Sequence, residues 1–126
     1  MRIVVVGAKG MLGRELCNTL SQKHEVIAWD IEEIDITNRS MTLQNLMNVQ
    51  PELIVNSAAF VDVDRCETDP DSAWRINALG SQNLALAAQE VGGELLYIST
   101  DYVFDGESSE DYDEVAQTHP INQYGR

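Results

Sequence analysis

The stretch "RIVVVGAKGMLGREL", Arg2 to Leu16, constrains this chain more than any other. It joins an apolar β-branched run to a helical pattern through a turn with three glycines. Ile3 to Val6 are apolar without alternation, the pattern of a strand covered on both faces of a parallel sheet. Leu12, Leu16 and Leu20 then recur every four residues and predict the buried stripe of a first helix. A strand that turns sharply into a helix is the opening of a βαβ unit.

The rest of the chain repeats that unit. "EVIAWD" predicts a second strand ending at Asp30, and "EIDIT" a short third one, followed by a helix around Met41 to Met47. "ELIVNSAA" predicts a fourth strand. In "TDPDSAW", Asp69 is placed to cap a helix with Pro70 at its first position and Asp71 at the positive end of its dipole. Its buried face is expected to hold Ala73, Leu84, Ala87, Ala88 and Val91, with Gly92-Gly93 as the stop. "ELLYISTD" predicts a fifth strand. Strands alternating with helices predict one α/β domain with a doubly wound parallel sheet of Rossmann type. After Asp101 the periodicity stops, and about twenty acidic, structureless residues read as a solvated binding loop or lid.

Composition excludes several classes. Among 126 residues, 8 Lys and Arg face 21 Asp and Glu, a net charge of −13 that repels nucleic-acid phosphates. Any anionic ligand must therefore be held by local backbone dipoles. No apolar run approaches the roughly 20 residues of a membrane span. A strand directly after Met1 leaves no room for a leader, and Cys17 and Cys66 lack metal spacing, so a cytoplasmic protein with reduced thiols is expected. His24 and His119 have no evident partner and read as solvated.

The turn itself carries the first chemistry. Gly7, Gly10 and Gly13 space as G-x-x-G-x-x-G around Lys9, Met11 and Leu12, after a strand and at the start of a helix. Glycines there let the backbone approach a pyrophosphate whose charge the helix N-terminus stabilises. Asp30, at the end of the next strand, is placed to accept from the adenosine ribose hydroxyls, which favours NAD; Lys9, able to meet a 2′-phosphate, favours NADP. The two readings stay open.

This turn, followed in order by "NSAAFVDVDRCE", "RINALGSQNLA", "STDYVFDG" and "PINQYG", resembles the extended short-chain dehydrogenase/reductases, and within them the dTDP-4-dehydrorhamnose reductases. The resemblance implies reduction of the C4 ketone of a dTDP-linked 6-deoxy sugar by NADPH or NADH, in dTDP-rhamnose biosynthesis. It places Asp35 at the adenine and lines the cofactor with Asn56, Ala58 and Ala59. It makes Asn77 a brace for the active-site backbone, Thr100 the catalytic hydroxyl and Tyr124 the catalytic tyrosine. Hydride addition leaves charge on the ketone oxygen, so a proton donor within hydrogen-bond reach is needed. Tyr102 follows Thr100-Asp101 where related dehydratases carry a second acid, which disfavours elimination of water.

Two further expectations follow from the resemblance. Some such reductases hold a divalent ion near the position of Glu15, although a surface glutamate is the simpler reading and no metal ligand is assigned. The family's Y-x-x-x-K lysine would fall two positions after Arg126. The chain is thus expected to be the cofactor-binding part, 1–126, cut before that lysine and the sugar pocket. Tyr124 is then expected on a frayed terminus, with exposed sheet surface open to self-association. Catalysis only with the nucleotide-sugar half present, or a non-catalytic nucleotide-binding or regulatory module, are the two functions this leaves.

Overall fold

The computed structural model describes residues 1–126. The strands are β1 (Arg2–Val6), β2 (Glu25–Trp29), β3 (Leu53–Asn56) and β4 (Glu94–Tyr97). They form one parallel sheet in the order β2-β1-β3-β4. Helices α1 (Met11–Leu20) and α2 (Arg39–Val49) make the first two crossovers. The third runs through α3 (Val63–Thr68), α4 (Pro70–Ala73), a π-helical segment (Trp74–Gly80) and α5 (Ser81–Val91). A short 3₁₀ turn, Asp101–Val103, follows β4.

Alternate residues of β1 feed two cores. Val4 and Val6 pack with Ile54, Ile34, Ile36, Leu46 and Leu84 under α2 and α5. Ile3 and Val5 pack with Val55 and Ala8 on the other face, against Leu16, Cys17 and Leu20 of α1. Helices on both faces make the sheet doubly wound. They also explain the unbroken apolar run of β1, whose four side chains are each at most 2% exposed. Burial of each such side chain contributes about 1.5–3 kcal/mol. At the far edge, Leu96, Tyr97 and Ile98 stay 40–46% exposed.

The long third crossover starts and stops as the sequence predicts. Asp69 accepts from the Ser72 amide at 3.2 Å, Pro70 occupies the first turn, and Gly92 ends α5 in the left-handed conformation. Ala73, Leu84, Ala87 and Ala88 are buried, Val91 partly so. Junction residues Trp74, Gly80 and Ser81 are all right-handed helical, so the π segment continues α4 into α5 without a break.

Several expectations are corrected. "EIDIT" is not a strand: the amides of Glu33 and Ile34 turn back onto the Asp30 carbonyl, and Asp35 Oδ1 accepts from both the amide and hydroxyl of Thr37. Ile34 and Ile36 are buried all the same, in the core shared by the sheet, α2 and α5, without joining the ladder. Leu12 is 44% exposed, and Gly13 takes its place on the buried side of α1. Helix α3 was not anticipated; Asp62 caps it by accepting from Arg65 N at 3.0 Å.

Beyond Val103 no helix or strand forms, as expected, yet the segment is tied down. Asp105 accepts from the Tyr112 hydroxyl at 2.7 Å and the Glu107 amide at 3.1 Å, and lies 3.0 Å from His119 Nδ1. Tyr112 stacks on Phe104 at 4.2 Å. His119 is therefore exposed but partnered, whereas His24 Nδ1 is buried with no partner, so neither is simply solvated.

Candidate functional site

The register of the sheet builds the site. Val6 pairs with Trp29 on one side and Asn56 on the other, so the chain leaves three adjacent strands side by side at Gly7, Asp30 and Ser57. The strand order reverses between β1 and β3, and a crevice at the carboxyl ends of strands forms at such a switch point. A cleft of about 350 Å³ lies there, lined by Gly7, Gly10, Asp30, Asp35, Ala58 and Ala59 among others. That volume is within the range of small-molecule sites. Sequence reasoning missed Ile31, Ile34, Ile36, Thr37, Ser57 and Ile76, which complete the lining with Val6. The alternation of Ile34 and Ile36 is the available signal, and by itself it predicts a strand.

Two glycines make the cleft. Gly7 has φ +79°, and a side chain there would also come within 2.7 Å of the Ala58 amide. A Cβ on Gly13 would overlap the Gly7 carbonyl and lie 2.8 Å from Ala8 Cα. The start of α1 can therefore press against the end of β1 only because both positions lack side chains. Helices α2, α3 and α4 are capped by Asn38, Asp62 and Asp69, but Gly10 offers α1 no side-chain cap. The first-turn amides of α1 thus have no side-chain acceptor and carry the positive end of the helix dipole. An anion such as a pyrophosphate fits that cradle. Met11 and Leu12 stand exposed at its entrance.

Asp30 closes the other side. Its Oδ2 accepts from the Lys9 amide at 2.8 Å and its Oδ1 from the Ile31 amide at 2.9 Å. Each oxygen keeps a lone pair for a further donor. The Lys9 side chain leaves the turn and pairs with Glu32 at 2.7 Å. Glu32 holds the ammonium above its usual range, and Lys9 holds the Glu32 carboxyl below its own. Asp35 lines the cleft while serving Thr37.

Asn56 is wholly buried and its amide is used internally: Oδ1 accepts from Ala58 N at 3.1 Å, and Nδ2 donates to Ser81 Oγ at 3.1 Å. It holds the Ala58 backbone, and the cleft lining does not include it. Asn77, in the π segment, clamps the backbone of Phe60: Oδ1 accepts from Phe60 N at 2.7 Å and Nδ2 donates to Phe60 O at 3.1 Å. Its own carbonyl accepts from Tyr97 Oη at 3.4 Å. Asn77 therefore ties the segment that follows β3 to the last residue of β4.

A second cluster forms past β4. Thr100 Oγ1 accepts from the Tyr102 amide at 3.2 Å and lies 3.3 Å from Asp101 Oδ1. The ring of Tyr102 meets Tyr124 edge-on at 5.5 Å and 71°. Tyr124 also lines a crevice of about 60 Å³ with Ala73, Trp74, Asn77 and Ala78. The expected fraying is corrected: the Gln123 amide donates to Glu67 at 2.7 Å and Gly125 N to Asn122 at 2.8 Å, so Tyr124 is anchored from upstream. Thr100 and Tyr124 thus share Tyr102 as a neighbour. Glu15 is exposed on α1.

Comparison with known proteins agrees with this geometry. The chain matches the family described as RmlD substrate binding domain over residues 1–126. It is 41% identical over 127 residues to a dTDP-4-dehydrorhamnose reductase of Aggregatibacter actinomycetemcomitans, covering 99% of this chain and 43% of that one. A crystal structure of a dTDP-4-dehydrorhamnose reductase from Clostridium acetobutylicum superimposes with a TM-score of 0.97 at 44% identity, over 99% of this chain and 45% of that one. The Bacillus anthracis reductase, solved in complex with NADP, gives 0.95 at 42% identity, over 98% and 44%. The chain therefore spans less than half the length of these relatives.

Proposed function

Since the chain belongs to the RmlD substrate binding domain family, we propose that its residues form the dinucleotide-binding part of an NAD(P)H-dependent reductase. Its substrate is a dTDP-4-dehydro-6-deoxy sugar and its product dTDP-L-rhamnose. The observation that carries the reading is the uncapped start of α1, set at the switch-point cleft and faced by Asp30. The reductases that match the whole chain support the choice of substrate.

In this reading Gly7, Gly10 and Gly13 admit the pyrophosphate to the amides of Met11 and Leu12, with Lys9 and Asp30 at the ribose and Asp35 at the adenine. Ala58 and Ala59 line the path, and Asn56 and Asn77 hold its backbone. The bound dinucleotide supplies the hydride. Tyr124 gives its proton to the C4 oxygen, turning ketone into alcohol, and Thr100 donates a hydrogen bond to the same oxygen. What supports the pairing is that Thr100 and Tyr124 both lie against Tyr102 in the segment past β4.

Fluorescence titration with NADH and NADPH tests the first half of this reading: saturable binding to the 126-residue chain is expected. The second half is tested in a reductase that carries these residues together with a sugar-binding part. There Tyr124→Phe abolishes keto-sugar-dependent NAD(P)H oxidation and leaves dinucleotide binding intact. Turnover undiminished by that substitution removes Tyr124 from the chemistry.

A further inference from the structure

Beside Lys9 and Asp30 stand two carboxylates, Glu32 and Glu33, that the dinucleotide reading leaves without a role. Lys9 is the cation of the glycine turn, and its Nζ lies 2.7 Å from Glu32 Oε2. Asp30 stands beside it, holding the Lys9 amide, and Glu33 turns its carboxylate onto the Asp30 amide at 2.9 Å. One carboxylate thus takes the ammonium, and two more are held by backbone amides next to it in the chain. We propose that Glu32, by holding Lys9, sets the dinucleotide preference of this cleft toward NADH over NADPH. The inference rests on the dinucleotide reading of the cleft and names the form bound.

The physical reason is the 2′ position of the adenosine ribose. In this fold an acidic residue about twenty positions past the glycine turn meets the 2′-hydroxyl. Asp30 is that residue, and its oxygens each retain a lone pair for a hydroxyl donor. A 2′-phosphate brings negative charge to the same place, where it meets Asp30, Glu32 and Glu33. It needs a free cation, and the nearby ammonium is already engaged. Both partners of the Lys9–Glu32 pair are about 60% exposed, so water and salt keep the pair weak. Releasing Lys9 is therefore worth a modest factor.

Binding of NADH and NADPH to the full chain, read by nicotinamide fluorescence, tests this with Glu32→Gln, Lys9→Gln and the double substitution. The unsubstituted chain is expected to bind NADH more tightly. Glu32→Gln should tighten NADPH by about fivefold, the limit for an exposed pair. NADH affinity should stay within about twofold, the scatter of independent effects. In the Lys9→Gln background the same change should do little. An unchanged NADH to NADPH ratio in Glu32→Gln overturns the proposal. So does an equal gain with and without Lys9, because Glu32 would then act by simple repulsion. Failure of the unsubstituted chain to bind either dinucleotide overturns the cofactor reading itself, and this inference with it.

Discussion

Both polar ends of the Asn77 amide are committed to one residue, Phe60, accepting from its N–H at 2.7 Å and donating to its C=O at 3.1 Å. This clamp spans 17 residues and fixes the chain that leaves β3 against the π-helical turn. A π turn inside a long helix often marks a functional site. Here it puts the Asn77 side chain level with Phe60 and its carbonyl within 3.4 Å of Tyr97 Oη.

Asn77→Ala removes the clamp and leaves both polar groups of Phe60 without that partner. The expected loss of stability is about 1–3 kcal/mol. Asn77→Asp keeps an acceptor for the amide but sets a carboxylate against the Phe60 carbonyl, so it should be no better than alanine. Urea unfolding monitored by circular dichroism gives both values, and an Asn77→Asp chain as stable as the parent would contradict the clamp.

At the glycine turn, Gly13→Ala and Gly10→Ala should differ sharply. A Cβ at 13 overlaps the Gly7 carbonyl, whereas one at 10 meets it at 3.2 Å. The first should cost about 1–3 kcal/mol through overpacking and weaken dinucleotide binding; the second should be the milder. Melting temperature and a dinucleotide titration on each variant decide it.

Asp30→Ala deprives the Lys9 and Ile31 amides of their acceptor. Hydrogen bonds to a charged group are worth about 1.5–3 kcal/mol, so NADH affinity should fall by at least tenfold. Asp30→Asn, which retains an acceptor oxygen, should lose less. Equal affinities for parent and Asp30→Ala would remove Asp30 from the binding site.

The loop after β4 should respond to acid at an unusually low pH. The Tyr112 hydroxyl, the Glu107 amide and His119 hold the Asp105 carboxyl down to about 2. A depressed acid contributes stability that is present above its unfolded value and lost as pH falls through its folded one. The Phe104–Tyr112 stack should therefore persist to pH 4 and open between about 4 and 2. Asp105→Asn should abolish that transition in the near-ultraviolet circular dichroism of the tyrosines.

Much of this was legible because it is local. The β1 run, the Gly7 to Gly13 spacing, the Asp69-Pro70 helix start and the Gly92 stop all act within a few residues, and all appear where the sequence puts them. The Ile34 and Ile36 pair was misread because alternation reports burial, and burial does not distinguish a paired strand from a loop packed under a helix. Nothing local in the sequence pairs Asn77 with Phe60, 17 positions away; the fold brings the two together.

The sequence by itself therefore determined the parallel α/β architecture and the place of the phosphate-binding turn. Backbone conformation at glycine, helix capping and hydrophobic periodicity are short-range effects written residue by residue. Only the tertiary structure decided which carboxylate takes the Lys9 ammonium, which backbone Asn77 clamps and what anchors Tyr124. Those contacts join segments distant in the chain, and they exist only because the sheet register sets Gly7, Asp30 and Ser57 side by side and folds the last residues back onto Glu67 and Tyr102.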